Sequence, residues 1–410
     1  MRRNPQKESL ARTTRPPRRA ADGPMAVVLG DIELVRPLAL AGIRCGVVAS
    51  SNDTTRFSRH ATRIFTWKWD AAFNRDEELA RRLLEYGWSQ PEPPVLFYQW
   101  NNQLLFVSRH REQLAQAFRF VIADAGKVEA MADKARFQAM AEALSLPVPA
   151  ARVLRPDPAT SPPDLSVLGF PLIVKPHQRS DGRWKTIEPS RKALRVDTPE
   201  ALCALWPKLS TIGAAVAQQY IGGPESRIES YHVYVDDHDE IIGEFTGHKL
   251  RTSPCDCGQT TALTVTHIED VARLGRELVR VLGLRGVAKF DFKRAPDGTL
   301  YLLEVNPRFN LWHHPGARAG VNLPALVFAN LTGCPRPPAV RRPAEVRWCT
   351  PRDLKAAQES GMSIVRWLPW ALGCEAKALW AWDDPLPFVG AGVSRLLRWA
   401  QGVARRRLRR

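Results

Sequence analysis

Short apolar runs and helix-spaced runs alternate along the chain, and the first of them set the fold class. Met25-Ala-Val-Val-Leu-Gly30 and Ile43–Ala49 are apolar runs with strand character, and Ile32–Ala41 between them has helical spacing and stops at Gly42. Strand, helix and strand in so short a stretch form a βαβ unit and imply a parallel sheet. Ile64–Trp67 and Val95–Tyr98 predict further strands, with a helix over 75–86 between them. Arg109–Phe120 and Ala125–Ala143 predict helices, the second containing Asp133-Lys134 and ending near Leu146-Pro147-Val148-Pro149. A Pro-rich loop (155–163) leads to a strand, Phe170–Lys175, and then to a polar stretch, 178–186. Next come a helix, Thr198–Leu209, and an apolar strand, Ala214–Ile221, running into Gly222-Gly223-Pro224. Ser230–Val235 and Glu240–Thr246 predict a hairpin, and Val271–Leu282 a helix capped by Gly283. Residues 335–345 have linker composition. A Trp-rich segment follows and ends in an amphipathic basic run, Val393–Arg410. No internal repeat is visible.

Bulk properties narrow the class without naming a function. A length of 410 residues suggests two to three domains of roughly 100–200 residues each. The hydrophobic share of 44% is ordinary for a globular protein. No apolar run reaches the ~18 residues of a membrane span, and no secretory signal is visible. The net charge of +17 suggests nucleic acid until it is located. Residues 1–24 contribute +5 and residues 395–410, with seven Arg and no acid, contribute +7, which leaves +5 for the body. The excess belongs to two tails and says little about the folded part. Residues 1–24 are expected to be a disordered basic leader. Seven scattered cysteines argue against a disulfide framework and suit a reduced, cytoplasmic setting. Cys255 and Cys257 are spaced too tightly for a zinc knuckle. Gly30 stands alone in its turn, without the GxGxxG of a dinucleotide site.

The most specific chemistry lies at 288–308, where two alternating apolar runs flank Asp297-Gly298, a strong hairpin signal. A two-residue loop would pair positions that sum to 595, placing Asp291 opposite Glu304 and Lys289 opposite Asn306. Like charges directly opposite destabilise a sheet, so something positive is expected between them. A hard divalent cation held by the oxygens of Asp291, Glu304 and Asn306 fits that need. Glu304 and Asn306 are two apart and share a strand face. Three lysines could meet phosphates: Lys134 near a helix start, Lys175 at a strand end and Lys185 in a polar loop.

The order of these motifs resembles the ATP-grasp superfamily over about residues 126–335. Asp133-Lys134, Pro171-Leu-Ile-Val-Lys175-Pro, Gln218-Gln-Tyr-Ile-Gly-Gly-Pro224, Lys289-Phe-Asp291-Phe-Lys and Leu303-Glu304-Val-Asn306-Pro-Arg308 carry the resemblance, together with Ala319-Gly-Val-Asn-Leu-Pro-Ala-Leu. It is closest to carboxylate–amine ligases similar to D-aspartate ligase. The resemblance implies an α/β chain, α+β in its central part. A parallel-sheet pre-ATP-grasp domain (25–125) would precede an ATP-grasp domain of two α+β subdomains (126–335). A linker, a Trp-rich segment and a basic tail (336–410) would follow. It further implies ATP and Mg²⁺ or Mn²⁺ as cofactors. Lys134 and Lys175 would contact the phosphates, and 178–186 would be a mobile loop over them with Lys185 its cation. Gln218, Gln219, Tyr220 and Ile221 would form the hinge beside adenine, and Glu225 would meet the ribose. Asp291, Glu304 and Asn306 would hold one or two Mg²⁺. Arg308, with Lys249 and Arg251, would steady the γ-phosphate and an acyl phosphate.

The chemistry implied is activation of a carboxylate by ATP and its capture by an amine, with ADP and phosphate released. Phosphoryl transfer asks chiefly for positioning and charge stabilisation, which these residue types supply without a Ser, Cys or His nucleophile. Other ATP-grasp chemistry, such as carboxylation or carbamoyl-phosphate-like formation, is the alternative within enzymes. A non-catalytic nucleotide-binding protein attached to a membrane or polyanion through its basic C-terminus is the alternative outside them. The partners allowed are small-molecule carboxylates and amines, a weak peripheral membrane contact through the tail and a homodimer, with no specific nucleic acid. Substrate selection is expected from the 25–125 domain and from loops near 55–60, 99–103 and 309–318.

Overall fold

The computed structural model describes residues 23–69, 75–177, 183–338, 340 and 343–392. The leader through residue 22, the tail from 393 and residues 178–182 of the expected phosphate loop lie outside the described residues.

Three sheets organise the chain. The first contains β1 (Ala26–Leu29), β2 (Cys45–Ala49), β3 (Ala61–Thr66) and β4 (Val95–Tyr98), all parallel, in the order β3-β2-β1-β4. Every residue of β1, β2 and β4 is buried, as expected of parallel strands covered on both faces. The helix Ile32–Leu40 is capped by Asp31, whose carboxylate accepts from Glu33 N at 2.9 Å. Gln99 ties the ends of β1 and β4 together. It accepts from Asp31 N at 2.7 Å and donates to Asp31 Oδ1 at 2.9 Å.

The second sheet, antiparallel, contains β5 (Ala151–Leu154), β6 (Leu172–Pro176), β7 (Leu194–Val196) and β8 (Ala215–Gln219) in the order β5-β8-β6-β7. Leu172, Val174, Ala215, Ala217 and Trp206 belong to its own apolar core. The third has seven strands: β9 (Ile228–Val235), β10 (Ile241–Ser253), β11 (Gln259–Val265), β12 (Gly286–Arg294), β13 (Leu300–Asn306), β14 (Val346–Cys349) and β15 (Ala376–Lys377). Their order is β13-β12-β9-β10-β11-β14-β15. The last two strands come from the Trp-rich segment, which is thus built into the edge of this sheet.

Two helical expectations shift. The single helix expected over 125–143 is two, Ala125–Ala132 and Lys134–Ala143. Asp133 leaves the helical region (φ −107°, ψ 121°) and caps the second helix by accepting from Ala135 N and Arg136 N at 3.0 and 2.9 Å. Of the helix expected over Arg109–Phe120 only the short helix Arg111–Leu114 forms, and a separate helix, Asn101–Arg109, precedes it. The Gln103 side chain accepts from Gln99 N and Trp100 N at 2.8 and 2.9 Å and so fixes the earlier start. Among the described residues no helix is long and apolar enough to cross a membrane.

A buried acid joins the first sheet's helix to the third sheet. Glu33 Oε2 lies 3.2 Å from His314 Nδ1 and accepts from Trp348 Nε1 at 3.2 Å, while Glu33 Oε1 is buried without a partner. Burial pushes the Glu33 carboxyl from 4.5 up to about 8, with Arg36 and the Trp348 N–H pulling the other way. Folded Glu33 therefore holds its proton more tightly than unfolded Glu33. Its stabilising contribution is full below about pH 4.5 and is lost as the pH rises through about 8. Glu33→Gln, which keeps the neutral form, should gain stability over the parent progressively from about pH 5 to about pH 8. Urea midpoints across that range check this, and a difference independent of pH would contradict it.

Candidate functional site

The hairpin β12/β13 carries the acidic residues, and its register can be followed residue by residue. Arg294 pairs with Leu300, and Ala295 N donates to Thr299 O at 2.9 Å, so the loop is Pro296-Asp297-Gly298, three residues, with Gly298 at φ +93°. That loop gives pairs summing to 594. A register shift beyond Phe292–Leu302 restores 595, so Asp291 faces Glu304 and Lys289 faces Asn306.

The positive charge beside Asp291 includes two lysines of the chain itself. Asp291 Oδ2 accepts from Lys289 Nζ at 2.6 Å, and Lys249 Nζ from β10 lies at 3.8 Å. Asp291 Oδ1 accepts from Ser230 Oγ at 2.5 Å, across the β9 pairing. Asp291 and Lys289 are both buried. Burial lowers the Lys289 pKa, and the Asp291 carboxylate opposes that shift.

A cavity lies between this hairpin and the second sheet. Lys134, Lys175, Lys192, Gln218, Glu225, Lys249, Asp291, Glu304 and Asn306 line it. Asn101, from the first sheet's side, also reaches it. Lys134 opens its helix, whose first N–H groups are taken by His177 O and by Asp133. Its cap Asp133 lies 2.9 Å from His177 Nε2. Lys175, on β6, donates to Gln218 Oε1 on the neighbouring β8 at 2.6 Å. Glu225 accepts from Cys257 N at 2.7 Å and from the Thr252 hydroxyl, and burial raises its carboxyl pKa. The loop around Cys257 also bridges the sheets, since Lys192 N donates to Cys257 O at 3.0 Å.

Other expected residues sit elsewhere. Lys185 is exposed in the short helix Trp184–Ile187 and does not line the cavity. Gln219, Tyr220 and Ile221 follow Gln218 but do not line it; the Tyr220 ring lies under the Arg195 guanidinium at 4.6 Å. The turn beyond is fixed by Lys293 Nζ, which donates to Gly223 O and Pro224 O at 2.7 and 2.6 Å. Arg308 lies at the border with the first sheet. It donates to Asn101 Oδ1 at 2.5 Å, to Gln99 O at 2.7 Å and to Asn306 Oδ1 at 3.3 Å.

Arg251 does not join Lys249 as expected. Strand alternation would put the two on one face, but β10 shifts register between them, where Lys249 pairs with Leu263 and Arg251 with Ala262. Arg251 instead grips buried Asp353 at 2.6 to 3.1 Å and lies over Trp370 at 4.1 Å. His313 and His314, expected in a loop, are buried at the start of the helix His313–Arg318. Burial takes His313 down to about 3.

Sequence reasoning missed Lys192, Asn101, Ser230 and the pairing role of Lys289. The last two had a signal: Lys289 lies two residues before Asp291, and Ser230 opens a predicted strand. Lys192 and Asn101 sit in polar stretches with no pattern to mark them.

Residues 250–351 match the family model described as "ATP-grasp in the biosynthetic pathway with Ter operon". D-aspartate ligase of Enterococcus faecium is 23% identical over 210 residues, 49% of this chain and 50% of that protein. D-alanine–D-alanine ligase B of Pseudomonas syringae pv. tomato is 28% identical over 184 residues, 40% of this chain and 52% of its own. The chain thus spans about half the length of the curated relatives it matches. Among solved structures, an ADP complex of N5-carboxyaminoimidazole ribonucleotide synthetase superposes with a TM-score of 0.59 at 14% identity, over 80% of this chain and 81% of that one. An L-amino acid ligase from Bacillus licheniformis gives 0.57 at 16% identity, over 76% and 74%. The solved structures share the fold, and over part of its length the chain is similar to the ATP-grasp family model and to these ligases.

Proposed function

We propose that the protein is an ATP-dependent carboxylate–amine ligase. One observation carries this reading: Lys134 and Lys175 line the same cavity as Asp291, Glu304 and Asn306. Cations and oxygen donors lining one cavity suit a nucleotide triphosphate with its metal. The related D-aspartate and D-alanine–D-alanine ligases favour C–N bond formation over the other chemistries of the fold.

Two carboxylates and an amide oxygen on one hairpin suit Mg²⁺ or Mn²⁺, which would complete its shell with phosphate oxygens and water. Among the described residues no three His, Cys, Asp or Glu groups converge on a metal, so ligands from the nucleotide are part of the proposal. The metal would neutralise charge on the phosphates during transfer. Lys134 and Lys175 hold the phosphates, and Gln218 orients Lys175. Glu225 meets the ribose, and Gln219–Ile221 border the base. Lys249 and Arg308 stabilise charge on the transferred phosphoryl group. The bond from the γ-phosphorus to its bridging oxygen breaks, ADP leaves, and a carboxylate oxygen takes the phosphoryl group. The amine nitrogen then attacks the acyl carbon, phosphate departs, and the nitrogen loses a proton. Arg251 has no part in this. The second substrate belongs where Arg308 meets Gln99 and Asn101, outside the carboxyl ends of β1 and β4. The domain division at about 125 and 335 and a cytoplasmic location belong to the same proposal.

A screen of amino acids and small carboxylates for substrate-dependent ADP release with Mg²⁺ tests the reading, and ADP release indifferent to every candidate amine would count against it. Lys175→Met should raise KM for ATP by about tenfold or more through loss of a charge-assisted contact. Steady-state kinetics check this, and an unchanged KM would remove Lys175 from the phosphate site.

A further inference from the structure

The cavity has a fourth lysine without a role in the proposed reaction. Lys192 lines it with Lys134, Lys175 and Lys249. The cation expected from the phosphate loop, Lys185, is exposed in its short helix and does not line the cavity. Lys192 follows it in the chain, just before β7.

The backbone around Lys192 is pinned from two sides. Arg191 O accepts from the indole Nε1 of buried Trp184 at 3.0 Å, which ties it to the core of the second sheet. Lys192 N donates to Cys257 O at 3.0 Å, which ties it to the turn between β10 and β11 of the third. Ala193 is buried. The Lys192 side chain therefore starts from a fixed point, as a binding residue requires. The turn that receives it is costly to make. Asp256 and Cys257 both take the left-handed region, at φ +59° and +61°. Asp tolerates that region better than Cys, and such residues persist where neighbouring contacts hold them. Here Cys257 donates its N–H to Glu225 Oε1 at 2.7 Å while its carbonyl takes Lys192 N. Burial and the Glu225 carboxylate push the Cys257 thiol up, and the Lys175 and Lys249 ammonium groups pull it down. Glu225, Cys257 and Lys192 thus form one chain of contacts across the site, starting from the acid assigned to the ribose.

Charge favours an anion there. Four lysines line the cavity against three acids, Glu225, Asp291 and Glu304, and Asp291 already accepts from Lys289. An ammonium is a compact point charge suited to phosphate oxygens.

We propose, on the reading of this cavity as a nucleotide site, that Lys192 binds a ribose-proximal phosphate and is set in place by the Cys257 carbonyl. Binding of ADP with Mg²⁺ to the full chain is to be measured by calorimetry. Lys192→Met, which keeps the length of the side chain and loses its charge, should weaken binding about tenfold, and Lys192→Arg should restore most of the affinity. The bond to Cys257 is made by the backbone and survives both changes, and unfolding midpoints equal to the parent's verify the fold. Affinity unchanged in Lys192→Met but weakened in Lys175→Met would overturn the proposal and leave the nucleotide site standing. Absence of ADP binding in the parent would remove both. An equal loss in the Met and Arg variants would also overturn it, since Lys192 would then shape the cavity without neutralising phosphate. A loss in Lys185→Met with none in Lys192→Met would return the role to the lysine expected in the loop.

Discussion

Glu304→Gln should lower turnover by about a hundredfold or more while leaving the fold intact. The size follows from what removing one preorganised charge from a site of phosphoryl transfer costs. Glu304 is the cleaner of the two acids to change because it is only half-buried. Asp291→Asn should lose as much turnover but carries a second effect. Lys289, buried beside it at 2.6 Å, would lose its carboxylate partner, and an unpaired buried ammonium destabilises the fold. Turnover and denaturant midpoints measured on both variants separate the two effects. Full turnover in Glu304→Gln would remove the hairpin from the metal site.

Asp353→Ala should be the most destabilising single change, costing about 3–5 kcal/mol. Asp353 is fully buried and accepts from Arg251 Nε and Nη2, from Thr261 Oγ1 at 2.8 Å and from Trp367 Nε1 at 2.9 Å. Removing it leaves the Arg251 charge desolvated and two further donors unsatisfied. The folded fraction should keep its turnover, because Arg251 is bound to Asp353 and does not line the cavity. Urea unfolding with activity measured well below the transition checks both parts. Lost turnover at unchanged stability would return Arg251 to the catalytic group.

What the sequence could and could not convey follows from these residues. The strand-helix-strand start was legible because parallel strands buried on both faces read as unbroken apolar runs. The facing of Asp291 and Glu304 was anticipated from a two-residue loop. The structure reaches the same pairing with a three-residue loop and a compensating shift in register. Arg251 shows the converse, where one shift in β10 turns a side chain to the other face, and nothing in Lys249-Leu250-Arg251 announces it. A cation was expected to offset the facing acids, yet Lys289 and Lys249 already stand beside Asp291. Glu304, Asn306 and the lysines that line the cavity with them are what favour a metal with a nucleotide there.

The central claim is that a carboxylate becomes an acyl phosphate before the amine attacks. Its most direct test follows the carboxylate oxygen. With the acid substrate found in the screen labelled with heavy oxygen in its carboxylate, the account predicts that the released phosphate carries one labelled oxygen for each amide bond formed. Phosphate free of label, with product still forming, would contradict it.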